Sequence, residues 1–135
     1  MKTSKLYFLL LLAVVFTGSA CEDDDGMMMP VCTQDTWVGN YSGTVSCDDG
    51  ATSTPITITI TASGTDAVAI RTQSNSTSTF YDPITIDNCT LMNSGTLGGV
   101  TASVEVTLDG DNLTIRDVTM GGGFDEDCTI TATRD

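Results

Sequence analysis

Five cysteines and two short acidic clusters carry most of the chemistry open to this chain. Cys32, Cys47, Cys89 and Cys128 lie scattered without a Cys-x-x-Cys pair, a spacing that suits disulfides in an oxidising compartment better than metal thiolates. Asp48-Asp49 and Asp125-Glu126-Asp127 supply the hard oxygen ligands that calcium takes. What is missing narrows the rest. No histidine occurs, which removes Ser-His-Asp and Cys-His catalysis and the usual zinc and copper sites. No lysine follows Lys5, so the body of the chain has no Schiff-base chemistry. Gly121-Gly122-Gly123 lacks the strand-to-helix setting of a phosphate loop and reads as a flexible loop. A two-carboxylate glycosidase would need a cleft that so small a chain has little room for. The inventory predicts that the protein is not an enzyme and carries no cofactor other than, at most, calcium.

The fifth cysteine, Cys21, belongs to an address. Lys2 and Lys5, the apolar run from Leu6 to Phe16, and Gly18-Ser19-Ala20 follow the order of a secretory signal, placing a signal peptide at 1–20. Eleven apolar residues span roughly 16 Å as a helix, against about 30 Å of hydrocarbon, so the run is too short for a membrane anchor. Gly18-Ser19-Ala20-Cys21 resembles the lipobox of bacterial lipoproteins, although Gly18 stands where a leucine is common. The resemblance implies that Cys21 becomes the lipidated first residue. Cysteine parity agrees, because lipidation of Cys21 leaves four cysteines, an even set. Glu22-Asp23-Asp24-Asp25 resembles the export signal of Bacteroidetes-type lipoproteins. It implies a lipid-anchored place in the outer membrane on the cell surface, with the periplasmic face as the alternative. Gly26-Met27-Met28-Met29-Pro30 has no periodicity, and residues 21–36 read as an acidic, Met-rich tether.

Processing also sharpens the charge. The mature chain loses both lysines and keeps Arg71, Arg116 and Arg134 against all 18 acidic residues, which moves the formal charge from −13 to −15. That argues against nucleic acid and against electrostatic docking on anionic lipid, both of which need basic patches. Roughly 115 residues remain, enough for one domain.

From Trp37 onward, short alternating runs rich in Thr, Val and Ile are separated by Gly, Asn, Asp and Ser, the pattern of β-strands. Trp37 to Cys47 forms the first, with Trp37, Gly39, Tyr41, Gly43, Val45 and Cys47 on one face. Ile56, Ile58 and Ile60 face a core while the threonines between them face water. Val68 and Ile70 mark a third strand. Phe80 opens a fourth region that Asp82-Pro83 marks as an edge, bulge or turn before Ile84 and Ile86. Cys89 and Leu91 suggest a short strand, and Val100 to Leu108 a long one that turns through Asp109-Gly110-Asp111-Asn112 into Leu113 and Ile115. Cys128 to Arg134 is the last. No stretch after the signal peptide has a helical period.

The sequence therefore predicts an all-β domain over 37–135, with seven or eight antiparallel strands in an up-and-down barrel or, alternatively, a two-sheet sandwich. In a barrel the first and last strands pair, bringing Cys47 beside Cys128 and leaving Cys32 for Cys89, one of three connectivities open to four cysteines. That disulfide would gather Asp48, Asp49, Asp125, Glu126 and Asp127 on one rim, the candidate calcium site. The same pairing sets Trp37 near Arg134. With Gly39 and Tyr41, these residues resemble the lipocalin and calycin pattern, in which an arginine from the final strand packs over an aromatic of the opening one. Here the tryptophan precedes the glycine. The function expected is non-catalytic binding of a small molecule or glycan, with Trp37, Tyr41, Phe80 and Tyr81 lining the site. The alternative is a structural or protein-interaction surface lipoprotein. Gly39 and Gly43, facing inward, would leave space or permit a bend.

Overall fold

A computed structural model describes residues 31–48 and 52–135. The expected signal peptide, the lipidated Cys21, the tether as far as Pro30, and Asp49 of the acidic rim lie outside the described residues.

The alternating runs become eight strands: β1 (Gly39–Cys47), β2 (Ser53–Ala62), β3 (Ala67–Ser74), β4 (Ser78–Thr85), β5 (Thr90–Leu97), β6 (Val100–Asp109), β7 (Asn112–Gly121) and β8 (Phe124–Arg134). They form one antiparallel sheet in the order β4-β3-β2-β1-β8-β7-β6-β5, curled into a nearly closed barrel. The sandwich alternative is therefore set aside. Ile58, Ile60, Val106, Leu113 and Ile115 fill the interior, and the threonines between them point outward, as period-two alternation requires. Strands β5, β7 and β8 run longer than their apolar residues suggested. Gly121-Gly122-Gly123 is the tight turn of the continuous β7–β8 hairpin, each residue at a positive φ that glycine adopts without steric cost.

First and last strands pair, with Tyr41 opposite Arg134 and Cys47 opposite Cys128. The break in the barrel lies between the sequence neighbours β4 and β5, which are not hydrogen-bonded neighbours in the sheet; an isolated Asp87–Thr90 bridge closes the corner that connects them. Pro83 has no N–H to offer a ladder, which suits it to this edge.

One element was not visible in the pattern. Gln34–Trp37 is a one-turn helix, α1, so Trp37 ends a helix instead of starting β1. The Thr36 hydroxyl accepts from the Thr33 N–H at 3.1 Å, and the Thr36 N–H donates to the Thr33 carbonyl at 2.9 Å. Gln34 Nε2 donates to the carbonyls of Gly64 and Ala67, fixing the turn of α1 to the β2–β3 connection. Cys32 is buried and bonded to Cys89, so residues 32–36, expected to lie outside the domain, belong to it. Four residues are too few to show a helical repeat.

Gly43 explains how β1 and β8 approach so closely. A Cβ there would lie 2.0 Å from the Thr131 carbonyl oxygen and 2.6 Å from Ala132 Cα, both backbone. Gly43→Ala is expected to lower unfolding stability by about 2–3 kcal/mol, read from the urea midpoint at constant m. An unchanged midpoint would show that the two strands have slack.

Candidate functional site

The barrel has two unlike ends. The closed end is a plug built around Arg134, which the last strand delivers beside β1. Its guanidinium donates to the Val38 carbonyl at 2.8 Å, to the Thr36 carbonyl, and to the Tyr41 hydroxyl at 2.7 Å, and stands 4.9 Å from the Tyr41 ring centre. Gly39 leaves room for it, since a Cβ there would sit 2.6 Å from the guanidinium. Tyr41 donates onward to the Trp37 carbonyl at 2.9 Å, and Trp37 Nε1 donates to the Asn88 carbonyl at 3.0 Å. Burial holds the Tyr41 phenol above its ordinary range, although Arg134 pulls it down.

This geometry corrects three of the four expected ligand-lining aromatics. Trp37 and Tyr41 are wholly buried and already bonded, so they belong to the plug and not to a ligand surface. Phe80 is 62% exposed on the outside of β4, where alternation puts it opposite Arg71. The inward glycines leave no cavity either: Arg134 fills the space at Gly39, and β8 fills that at Gly43.

The other end is hollow. A cavity of about 320 Å³ lies below the Cys47–Cys128 disulfide, with Val45, Ile56 and Ile130 among its apolar walls and Thr54, Thr79 and Thr119 among its hydroxyl-bearing ones. Tyr81, the fourth expected aromatic, lines it together with Asp117 and Glu126. A register shift between β3 and β4 puts Val68 opposite Ile84 and Ile70 opposite Tyr81. The extra residue in the Asp82-Pro83 stretch lets Tyr81 and Ile84 both face inward. The Tyr81 hydroxyl donates to Asp117 Oδ2, joining edge strand β4 to β7 through the interior. Burial first, then that hydrogen bond and the carboxylate charge, push the phenol far above its ordinary value of 10.0.

Asp48, Asp125, Glu126 and Asp127 do line one open depression beside Arg116, but among the described residues no three carboxylates come within reach of a single ion. Glu126, exposed at the mouth, borders the cavity on the side of Cys128 as well as the depression, while alternation leaves Asp125 and Asp127 outside the barrel. Asp127 is held by Arg116 in a two-pronged pair at 2.7 and 3.2 Å, which lowers its carboxyl below the usual range. Asp48 extends the ladder through its N–H to the Asp127 carbonyl, and Asp49 lies outside the described residues. Among the described residues, the cluster of three potential metal ligands within 4.8 Å is Cys47, Glu126 and Cys128, whose sulfurs are both consumed by the disulfide. The described members of the candidate calcium site, Asp48, Asp125, Glu126 and Asp127, thus share a rim without forming a ligand set.

Sequence reasoning overlooked Asp117 and Asn88. Asp117 carried a signal, because Leu113, Ile115, Asp117 and Thr119 share one phase and a carboxylate at core phase marks a break in the core. Asn88, which accepts the Cys32 N–H at 3.0 Å and the Trp37 indole, gave none.

No protein-family model matches the chain, and no curated protein does. Solved structures match its fold. A redesigned β-barrel aligns with a TM-score of 0.58 at 16% identity, over 76% of this chain and 95% of that one. A second redesigned barrel, bound to DFHBI, gives 0.52 at 21% identity, over 76% and 98%. At these identities the likeness extends to the barrel alone.

The Tyr81 bond makes stability sensitive to alkali. A folded-state value raised above the unfolded one, about 10, contributes stability that is complete below pH 10 and lost as pH rises toward the folded value. Tyr81→Phe should cost about 1–2 kcal/mol at neutral pH. It should also remove part of the loss above pH 10, the remainder belonging to Tyr41. Urea midpoints from pH 8 to 11 check both, and an unaltered slope in the variant would contradict the bond.

Proposed function

We propose that this protein is a non-catalytic binding module, held by lipid on Cys21 at the outer membrane of a bacterium and taking a small molecule or the end of a glycan into its hollow end. The observation that carries the reading is the half-filled interior. Apolar side chains occupy the plugged half, and the mouth half keeps about 320 Å³, at the lower end of small-molecule pockets. A barrel packed throughout would support no such reading. The likeness to a redesigned barrel bound to DFHBI supports the capacity of the architecture, not the identity of a ligand.

The polarity of the barrel is compatible with an anchor at Cys21. The described chain enters at Val31 and Cys32 on the plugged end, so an anchor upstream would not attach at the mouth. A second reading, a structural or protein-interaction surface lipoprotein, rests on the outer face. There Thr44, Thr131, Thr114, Thr107 and Thr90 stand in one row across five strands, a β-branched surface suited to a durable sheet.

Two measurements test the proposal. Palmitate labelling in the native host should be present in the wild type and lost in Cys21→Ser; labelling that survives the substitution would place the lipid elsewhere. Native mass spectrometry of the mature Cys21→Ser chain exposed to host extract should show a small-molecule adduct that Thr119→Trp, which fills the cavity, removes. Persistent absence of any adduct would sink the binding reading and leave the structural one.

A further inference from the structure

We infer that the ligand class suited to the hollow end is a small organic cation, a protonated amine on a compact apolar body. The inference rests on the binding reading above and adds the charge of the ligand. The cavity walls divide by chemistry. Val45, Ile56 and Ile130 offer apolar contact, Asp117 and Glu126 offer negative charge, and among the described residues no basic side chain lines the space. The arginines are engaged elsewhere: Arg134 closes the opposite end, Arg116 lies outside against Asp127, and Arg71 is exposed on the outer face of β3. No lysine occurs beyond Lys5.

Asp117 stands half-buried on the inner face of β7 and Glu126 exposed at the mouth on β8, diagonal to each other because Asp117 is opposite Cys128 and Thr119 opposite Glu126. Diagonal neighbours in an antiparallel pair lie within reach of long side chains, so the two charges share one space. The Tyr81 hydroxyl occupies one oxygen of Asp117 and fixes the carboxylate's position, and a carboxylate has acceptor capacity left after one such bond. An ammonium group would take a charge-assisted hydrogen bond there and relieve the repulsion. A metal ion is the poorer fit, because among the described residues the only carboxylate in the three-ligand cluster is Glu126, beside two sulfurs locked in a disulfide. Anionic ligands such as fatty acids or phosphate esters face like charge in the cavity and a mature-chain charge of −15, from three arginines against 18 acidic residues.

Three probes of one size and different charge test this on the mature Cys21→Ser chain: 2-phenylethylamine, 2-phenylethanol and 3-phenylpropionate, followed by NMR shift titration at pH 7. The amine should bind at least about tenfold more tightly than the alcohol, with the acid weakest. Its shifts should map to Val45, Ile130, Tyr81 and Asp117. In Asp117→Asn with Glu126→Gln the amine should lose most of that advantage while alcohol binding is retained; the alcohol's own shifts report whether the variant is folded. Alcohol binding equal to or tighter than amine binding would overturn the cation assignment and leave the cavity reading intact. Shifts that fall outside the cavity, or no saturable shift from any probe, would overturn both.

Discussion

The guanidinium of Arg134 is the contact on which the architecture depends. It arrives from the last strand and reaches the carbonyls of Thr36 and Val38, the Tyr41 hydroxyl and the face of the Tyr41 ring. In doing so it satisfies carbonyls at the end of α1 that the helix itself leaves open. Its Nε also lies 3.4 Å from Asp111 of the β6–β7 turn. One side chain thus joins the start of the domain, the first strand, a distant turn and the last strand. The indole of Trp37, held to Asn88, completes the closure, and the neighbouring Cys32–Cys89 disulfide makes it covalent. The plug consumes Trp37 and Tyr41 at one end, and Tyr81 is an aromatic that lines the cavity at the other.

The hollow end follows from that distribution and from the seam. With β4 and β5 unpaired over most of their length, the barrel needs another tie across the gap, and the Tyr81–Asp117 hydrogen bond supplies one from the inside. The Cys47–Cys128 disulfide joins the first and last strands at the same end. A polar interior is costly unless its groups are partnered. Among the described residues no buried side-chain nitrogen or oxygen lacks a partner, which agrees with a cavity whose polar walls are bonded or open to solvent.

Much of the fold was legible because alternation is a strong signal when one face is dry and the other wet. Ile56, Ile58 and Ile60 showed β2 directly, and the shared phase of Cys47 and Cys128 brought the first and last strands together. The position of Arg134 beside Tyr41 was legible for the same reason. The candidate site was less so. An aromatic signals burial but not whether it faces a ligand or a bonded core, and Trp37 and Tyr41 proved to be core. The acidic run 125–127 does border one depression, but alternation along the strand keeps its carboxylates from converging on one point, which sequence adjacency hides. Hollow space depends on packing among strands distant in sequence, which no local pattern reports.

The central claim is a barrel pinned and packed at one end, with an open seam and a cavity toward the other. Native-state hydrogen exchange addresses it directly. Amides of Tyr41, Ile60, Leu113 and Ala132 should exchange only through global unfolding, while amides of β4 and β5 directed across the seam should exchange through local opening at far lower free energy. Seam amides as protected as those of β1 and β8 would mean a closed ladder, and would contradict the division of the barrel into a plug and a cup.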